Sequence, residues 1–164
     1  MRLSPGARKV TLTAHVVCSV GWLGAVAAFA ALAAAVVVSS NVETIRGAYF
    51  AMELTATFVI VPLALGSFVT GLVQSLGSRW GLLRHYWVVF KLVINIVATV
   101  LLVTYLRTLA ELADTAASKT AFATGPNEFS PLLHAIAALV LLLVATVLAV
   151  YKPRGVTPFG RRGG

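Results

Sequence analysis

Four ionisable side chains, His15, Glu53, Lys91 and His134, interrupt stretches of this sequence that are otherwise apolar. An imidazole in such a setting serves as a metal ligand or a proton carrier, and an ammonium can hold an anionic group. Either reading makes these positions functional candidates, because a titratable group inside an apolar segment is expensive to keep. His15 and Lys91 are the strongest pair. His15 follows Lys9 by six residues and Lys91 follows Arg84 by seven, so at about 1.5 Å per residue each lies roughly 9 to 10 Å beyond its basic flank. They share a layer and can face each other. Glu53 and His134 lie three or four residues inside their own apolar runs, from the other side, and make a second layer.

The elements that must position these groups are membrane helices. The 164 residues are 59% hydrophobic and 11% charged, with a mean hydropathy of +0.93, which excludes an ordinary soluble domain. A spanning helix needs roughly 20 apolar residues, and four runs supply them: 10–38, 49–76, 86–106 and 131–151. The expected fold is therefore all-α, a single four-helix integral membrane bundle, with residues 152–164 as a basic tail. The first run is too long for a signal peptide and continues past its small-residue stretches. Pro62, in the middle of the second run, should kink it.

Charge sets the expected orientation. Arg2, Arg8 and Lys9, then Arg79 and Arg84, then Lys152, Arg154, Arg161 and Arg162 lie on one side with no acidic residue among them. The other side mixes Arg46, Arg107 and Lys119 with Glu43, Glu111, Asp114 and Glu128. The positive-inside rule then puts both termini in the cytoplasm of a bacterial-type cell, with the chain in the inner membrane. The net charge of +8 is that of a basic rim against anionic headgroups, and it calls for no nucleic acid. One cysteine, Cys18, allows no intrachain disulfide and no thiolate cluster.

Helical spacing gives each candidate its neighbours. From His15, steps of three, four and seven reach Cys18, Ser19 and Trp22; from Lys91, steps of four reach Trp87, Asn95 and Thr99. Glu53, Thr57, Ala64, Ser67, Gly71 and Gln74 make a weakly polar stripe along the second run. Such small and hydroxylated residues also serve plain helix packing.

The stretch "HVVCSVGWLG", from His15 through Trp22 to Gly24, resembles the first helix of the HemJ-type protoporphyrinogen IX oxidases, and it is also similar to the opening of copper-resistance D-type membrane proteins. "HYWVVFKLVINIVATVLLVTYLR", with Lys91 and Leu92, looks like a later helix of the oxidases. "NEFSPLLHAIAALVLLLVATVLAVYKP" is similar to their Asn-Glu-x-Pro entry and Lys-Pro exit, on Asn127, Glu128, Pro131, Lys152 and Pro153. The resemblance implies haem b ligated at His15, Lys91 as its functional partner, and oxidation of a tetrapyrrole-like or other lipophilic substrate. Trp22, Asn95 and Gln74 would line that site, the last two as hydrogen-bond donors. His134 and His85 are too distant in depth to be a sixth ligand, so the iron would be five-coordinate or shared with a second chain of a homo-oligomer. Two other readings remain open: a cofactor-free carrier or proton path through the four ionisable groups, and an accessory subunit of a larger membrane complex.

Overall fold

A computed structural model of the chain describes residues 3–77, 81–118 and 129–161. Arg2, Arg79, Trp80, Lys119, Asn127, Glu128 and Arg162 lie outside them, and of Arg161 only the backbone is described. The described chain is helical: α1 (Pro5–Val38), α2 (Val42–Thr55), a π turn (Ala56–Ile60), α3 (Val61–Gly77), α4 (Tyr86–Ser118), α5 (Ser130–Tyr151) and a short α6 (Pro158–Arg161). Four spans are long and apolar enough to cross a membrane: α1, the continuous α2 to α3 rod, α4 and α5.

Three helix ends depart from the limits expected from apolarity alone. At the start of α1 the Ser4 hydroxyl accepts from the Ala7 N–H and Pro5 occupies the first turn, which moves the start five residues earlier. The Asn41 side chain accepts from the N–H groups of Glu43 and Thr44, so α2 begins at Val42, ahead of its apolar run. The carboxylate of Glu43 lies in that first turn, where the helix dipole favours it. At its far end α4 continues to Ser118, supported by the exposed Arg107–Glu111 pair at 3.1 Å. With 33 residues, α4 is about 50 Å long and outruns a hydrocarbon core of about 30 Å. Arg46 ties the two projecting ends together, pairing with Glu43 at 3.0 Å and donating through Nε to the Ala116 carbonyl.

Pro62 does not break the second span. Its missing N–H is absorbed by the π turn just before it, where the Val61 N–H reaches the Ala56 carbonyl. A local widening of one turn therefore stands where the kink was expected, and the helix runs on through it.

Around the bundle, α1 packs on α2, α3 and α5, while α4 packs on α2, α3 and α5. Among the described residues α1 and α4 make no backbone-to-backbone approach, and neither do α2 and α5, so each pair stands across a diagonal. The core is a column of Trp22, Val26, Phe29, Ala33 and Val36 from α1 against Ile45, Tyr49, Met52, Ala56 and Ile60 of the second span. Outward faces are apolar too, as Val97, Val140 and Val147 show, and in lipid such faces need no burial.

The tail after α5 is not free. Lys152 closes α5 in the left-handed region, at φ 45°, and the chain turns back onto the loop before α4. Thr157 donates its N–H to the Arg84 carbonyl at 3.0 Å and its hydroxyl to the Leu83 carbonyl, and His85 bridges antiparallel to Val156. Thr157 is buried there. The basic tail is thereby fastened to the basic connection.

Candidate functional site

The seam between α1 and α3 is built from small residues. Gly66, Ser67, Thr70 and Gly71 put two short side chains and two bare backbone positions on one face of α3, opposite His15, Cys18 and Ser19 of α1. A Cβ at Gly66 would stand 2.8 Å from Cys18 Sγ, and one at Gly71 would stand 3.2 Å from His15 Cε1. Those glycines let the imidazole lie flush against α3. Gly66→Ala is therefore expected to destabilise by about 1 to 3 kcal/mol through overpacking. Cys18→Ala should restore most of that loss, because the contact left is 3.7 Å from the Cys18 Cβ. Thermal unfolding of the two single variants and the double variant measures the coupling, and additive losses would place the strain elsewhere.

Hydrogen bonding fixes the state of His15. Its Nδ1 lies 3.1 Å from the Ser67 carbonyl and 3.1 Å from Thr70 Oγ1. A carbonyl only accepts, and the Thr70 hydroxyl already donates to the Gly66 carbonyl. Nδ1 must therefore carry the hydrogen and donate, which leaves Nε2 with an uncommitted lone pair. This is the arrangement in which a histidine is held as a ligand, with one nitrogen on a backbone carbonyl and the other available. The acceptor thus lies across the seam on α3 and not one turn back on α1. Thr11 has a different role: its hydroxyl donates to the Ala7 carbonyl and its own carbonyl accepts from Gln74 Nε2 at 3.1 Å. Gln74 therefore sits one turn from His15 towards the amino terminus and staples α1 to α3.

Lys91 stands across the diagonal from His15, near enough for its charge to act on the imidazole, with Lys152 near enough to act on Lys91. Among the described residues Lys91 makes no ion pair. One and two turns along α4, Asn95 Oδ1 and Thr99 Oγ1 are buried and lack a hydrogen-bond partner among the described residues. A buried polar atom left unmade costs about 1 to 3 kcal/mol, so two of them beside an unpaired cation mark a place built for something polar.

Trp22 falls elsewhere. It is 2% exposed and lines an apolar cavity of about 100 Å³ further along the bundle, with Phe29, Tyr105 and His134. His134 is exposed, stacks on Tyr105 at 4.1 Å between ring centroids, and bonds through Nδ1 to the Ser130 carbonyl at 2.8 Å. Glu53 precedes the π turn on α2, across the diagonal from α5. The two residues of the second layer are thus separate, and Tyr105 is the aromatic partner that the sequence left unassigned. Thr70 was also missed, although the Gly66–Ser67 and Thr70–Gly71 doublets, four residues apart, announce a groove for a side chain of another helix. Among the described residues no cluster of three or more His, Cys, Asp or Glu side chains could hold a bare metal ion.

No family model, curated protein or solved structure matches this chain. The resemblance to the oxidases and copper-resistance proteins therefore stands on its short motifs alone, and function has to be argued from the site.

Proposed function

We propose that the chain is a bacterial-type inner-membrane protein that binds haem b through His15 Nε2 and acts as an oxidoreductase on a tetrapyrrole-like or other lipophilic substrate. The observation that carries the reading is the donation of His15 Nδ1–H to the Ser67 carbonyl, which leaves Nε2 as a neutral, oriented ligand atom. The residues present fit the group in two further respects. Among the described residues Lys91 has no anionic partner of its own, as a residue meant for a propionate would, and Asn95 and Thr99, unsatisfied among the same residues, continue the polar strip beside it. The cavity at Trp22, at about 100 Å³, is below the roughly 300 to 1,000 Å³ of ligand pockets and would not hold the macrocycle.

When bound, the iron would supply electron transfer to or from a lipophilic substrate. The chain's own residues do the positioning. Ser67 and Thr70 hold the imidazole in one tautomer and one orientation, and the glycines of α3 keep it from tilting. Lys91 anchors an anionic group of the cofactor or the substrate. Asn95 and Thr99 offer it hydrogen bonds.

Haemin titrated into the purified protein should saturate at one equivalent per chain. Uptake that rises without saturating would mean adhesion to a greasy bundle and would contradict the reading.

The same proposal places both termini in the cytoplasm, from the basic residues that the folded-back tail gathers with the loop before α4. Single cysteines in the 78–84 connection and at the carboxyl terminus, in a Cys18→Ser background, should be shielded from an impermeant maleimide in intact cells and labelled after lysis. Labelling in intact cells would invert the topology.

A further inference from the structure

The second layer carries a site of its own. The cavity lined by Trp22, Phe29, Ala98, Tyr105, His134 and Ala138 is about 100 Å³ and apolar apart from Tyr105, His134 and the indole N–H of Trp22. An engineered apolar cavity of about 150 Å³ accepts benzene, so this space, which is partly open, is on the scale of one aromatic ring. Its polar end is specified in the same way as His15. His134 Nδ1 is 2.8 Å from the Ser130 carbonyl on its own helix, so Nδ1 carries the hydrogen and Nε2 is left as an acceptor. Stacking on Tyr105 at 4.1 Å and 20° fixes the ring plane, and the Tyr105 hydroxyl is in turn held by Ser130 Oγ at 3.1 Å.

We infer that this cavity binds the hydroxylated aromatic ring of a membrane amphiphile, a phenol or hydroquinone headgroup whose O–H donates to His134 Nε2. An acceptor beside an apolar, ring-sized space selects for a ligand that brings a donor, and it disfavours the corresponding quinone or ether, which bring only acceptors. His134 lies in the second turn of α5, four residues past Ser130. A hydroxyl at that level would sit near the outer interface, with an alkyl tail running into the bilayer. The inference is independent of haem at His15.

The test uses the full chain in detergent with Trp80→Phe and Trp87→Phe, which leaves Trp22, the tryptophan in the cavity wall, as the sole emitter of the three. A decyl-tailed hydroquinone kept reduced by ascorbate, the matching quinone and the dimethyl ether are titrated separately, and Trp22 fluorescence is followed. The hydroquinone should quench saturably and bind at least about tenfold tighter than either analogue. His134→Leu should erase that preference, Ala138→Phe should abolish saturable quenching by all three while circular dichroism stays helical, and Val147→Ala, on the outward face of α5, should change nothing. Equal binding of the three ligands, a preference that survives His134→Leu, or no saturable quenching would each overturn the site. Because His15 is not part of it, that failure would leave the haem reading standing.

Discussion

Lys91→Met is expected to weaken binding of haem, or of any anionic ligand of this site, by about 10- to 100-fold while the helical fold survives. A charge-assisted hydrogen bond contributes about 1.5 to 3 kcal/mol, and each 1.4 kcal/mol is a factor of ten. The fold survives because Met keeps the apolar stem and removes a cation that no described carboxylate neutralises. Lys91 makes no ion pair among the described residues, and the charge that acts on it is that of Lys152, also a cation. Removing one partner of a buried ion pair is destabilising because it strands the other, and here no carboxylate is stranded. Lys91→Arg separates charge from shape, since it keeps the cation and should keep most of the affinity. Haemin titration and thermal unfolding on the same preparations give both readouts. Unchanged affinity in Lys91→Met would reduce the lysine to a snorkelling side chain.

His15→Ala is expected to remove the proposed iron ligand outright, while the bonds around it persist. The Thr70 hydroxyl keeps its bond to the Gly66 carbonyl and Ser19 keeps its 2.8 Å contact with Ser67 Oγ. The α1 to α3 seam should therefore hold, with a gap the size of an imidazole opposite Gly71. Free imidazole at millimolar concentration should enter that gap and restore part of the absorption lost with the side chain, a rescue that a merely misfolded variant would not show. Thr70→Val, which leaves the Ser67 carbonyl as the one acceptor, should loosen the ring and shift the band without abolishing it. His134→Ala should leave the band unchanged. His134 shares its cavity with Trp22, and Trp22 lies seven residues, or about 10 Å, along α1 from His15.

The four spans were legible in the sequence because lipid imposes a length of apolar chain that nothing else requires. Their ends were not, since hydropathy reports the thickness of the membrane and helices stop where caps and polar helix formers let them. Asn41 capping α2 and the Arg107–Glu111 pair extending α4 lie outside any apolar run. Pro62 read as a kink because a missing N–H breaks a regular ladder, and a π turn re-registers that ladder so that the helix continues to Gly77. The pairing of His15 with Lys91 could be reached from depth alone, as both are counted from basic flanks. Partners across a seam could not. That Ser67 and Thr70 receive the His15 proton depends on how far α3 slides and rotates against α1, which the glycines at 66 and 71 permit but no spacing within α1 encodes. Trp22 misled for the converse reason: seven residues keep it on the face of His15, yet two turns carry it into a different layer.

Iron ligation by His15 Nε2 is tested most directly by the absorption spectrum of the wild-type protein purified from haem-replete cells beside that of His15→Ala. A Soret band in the wild type that is absent or displaced in His15→Ala is the predicted result. A colourless wild-type protein, or the same band in both, would contradict it.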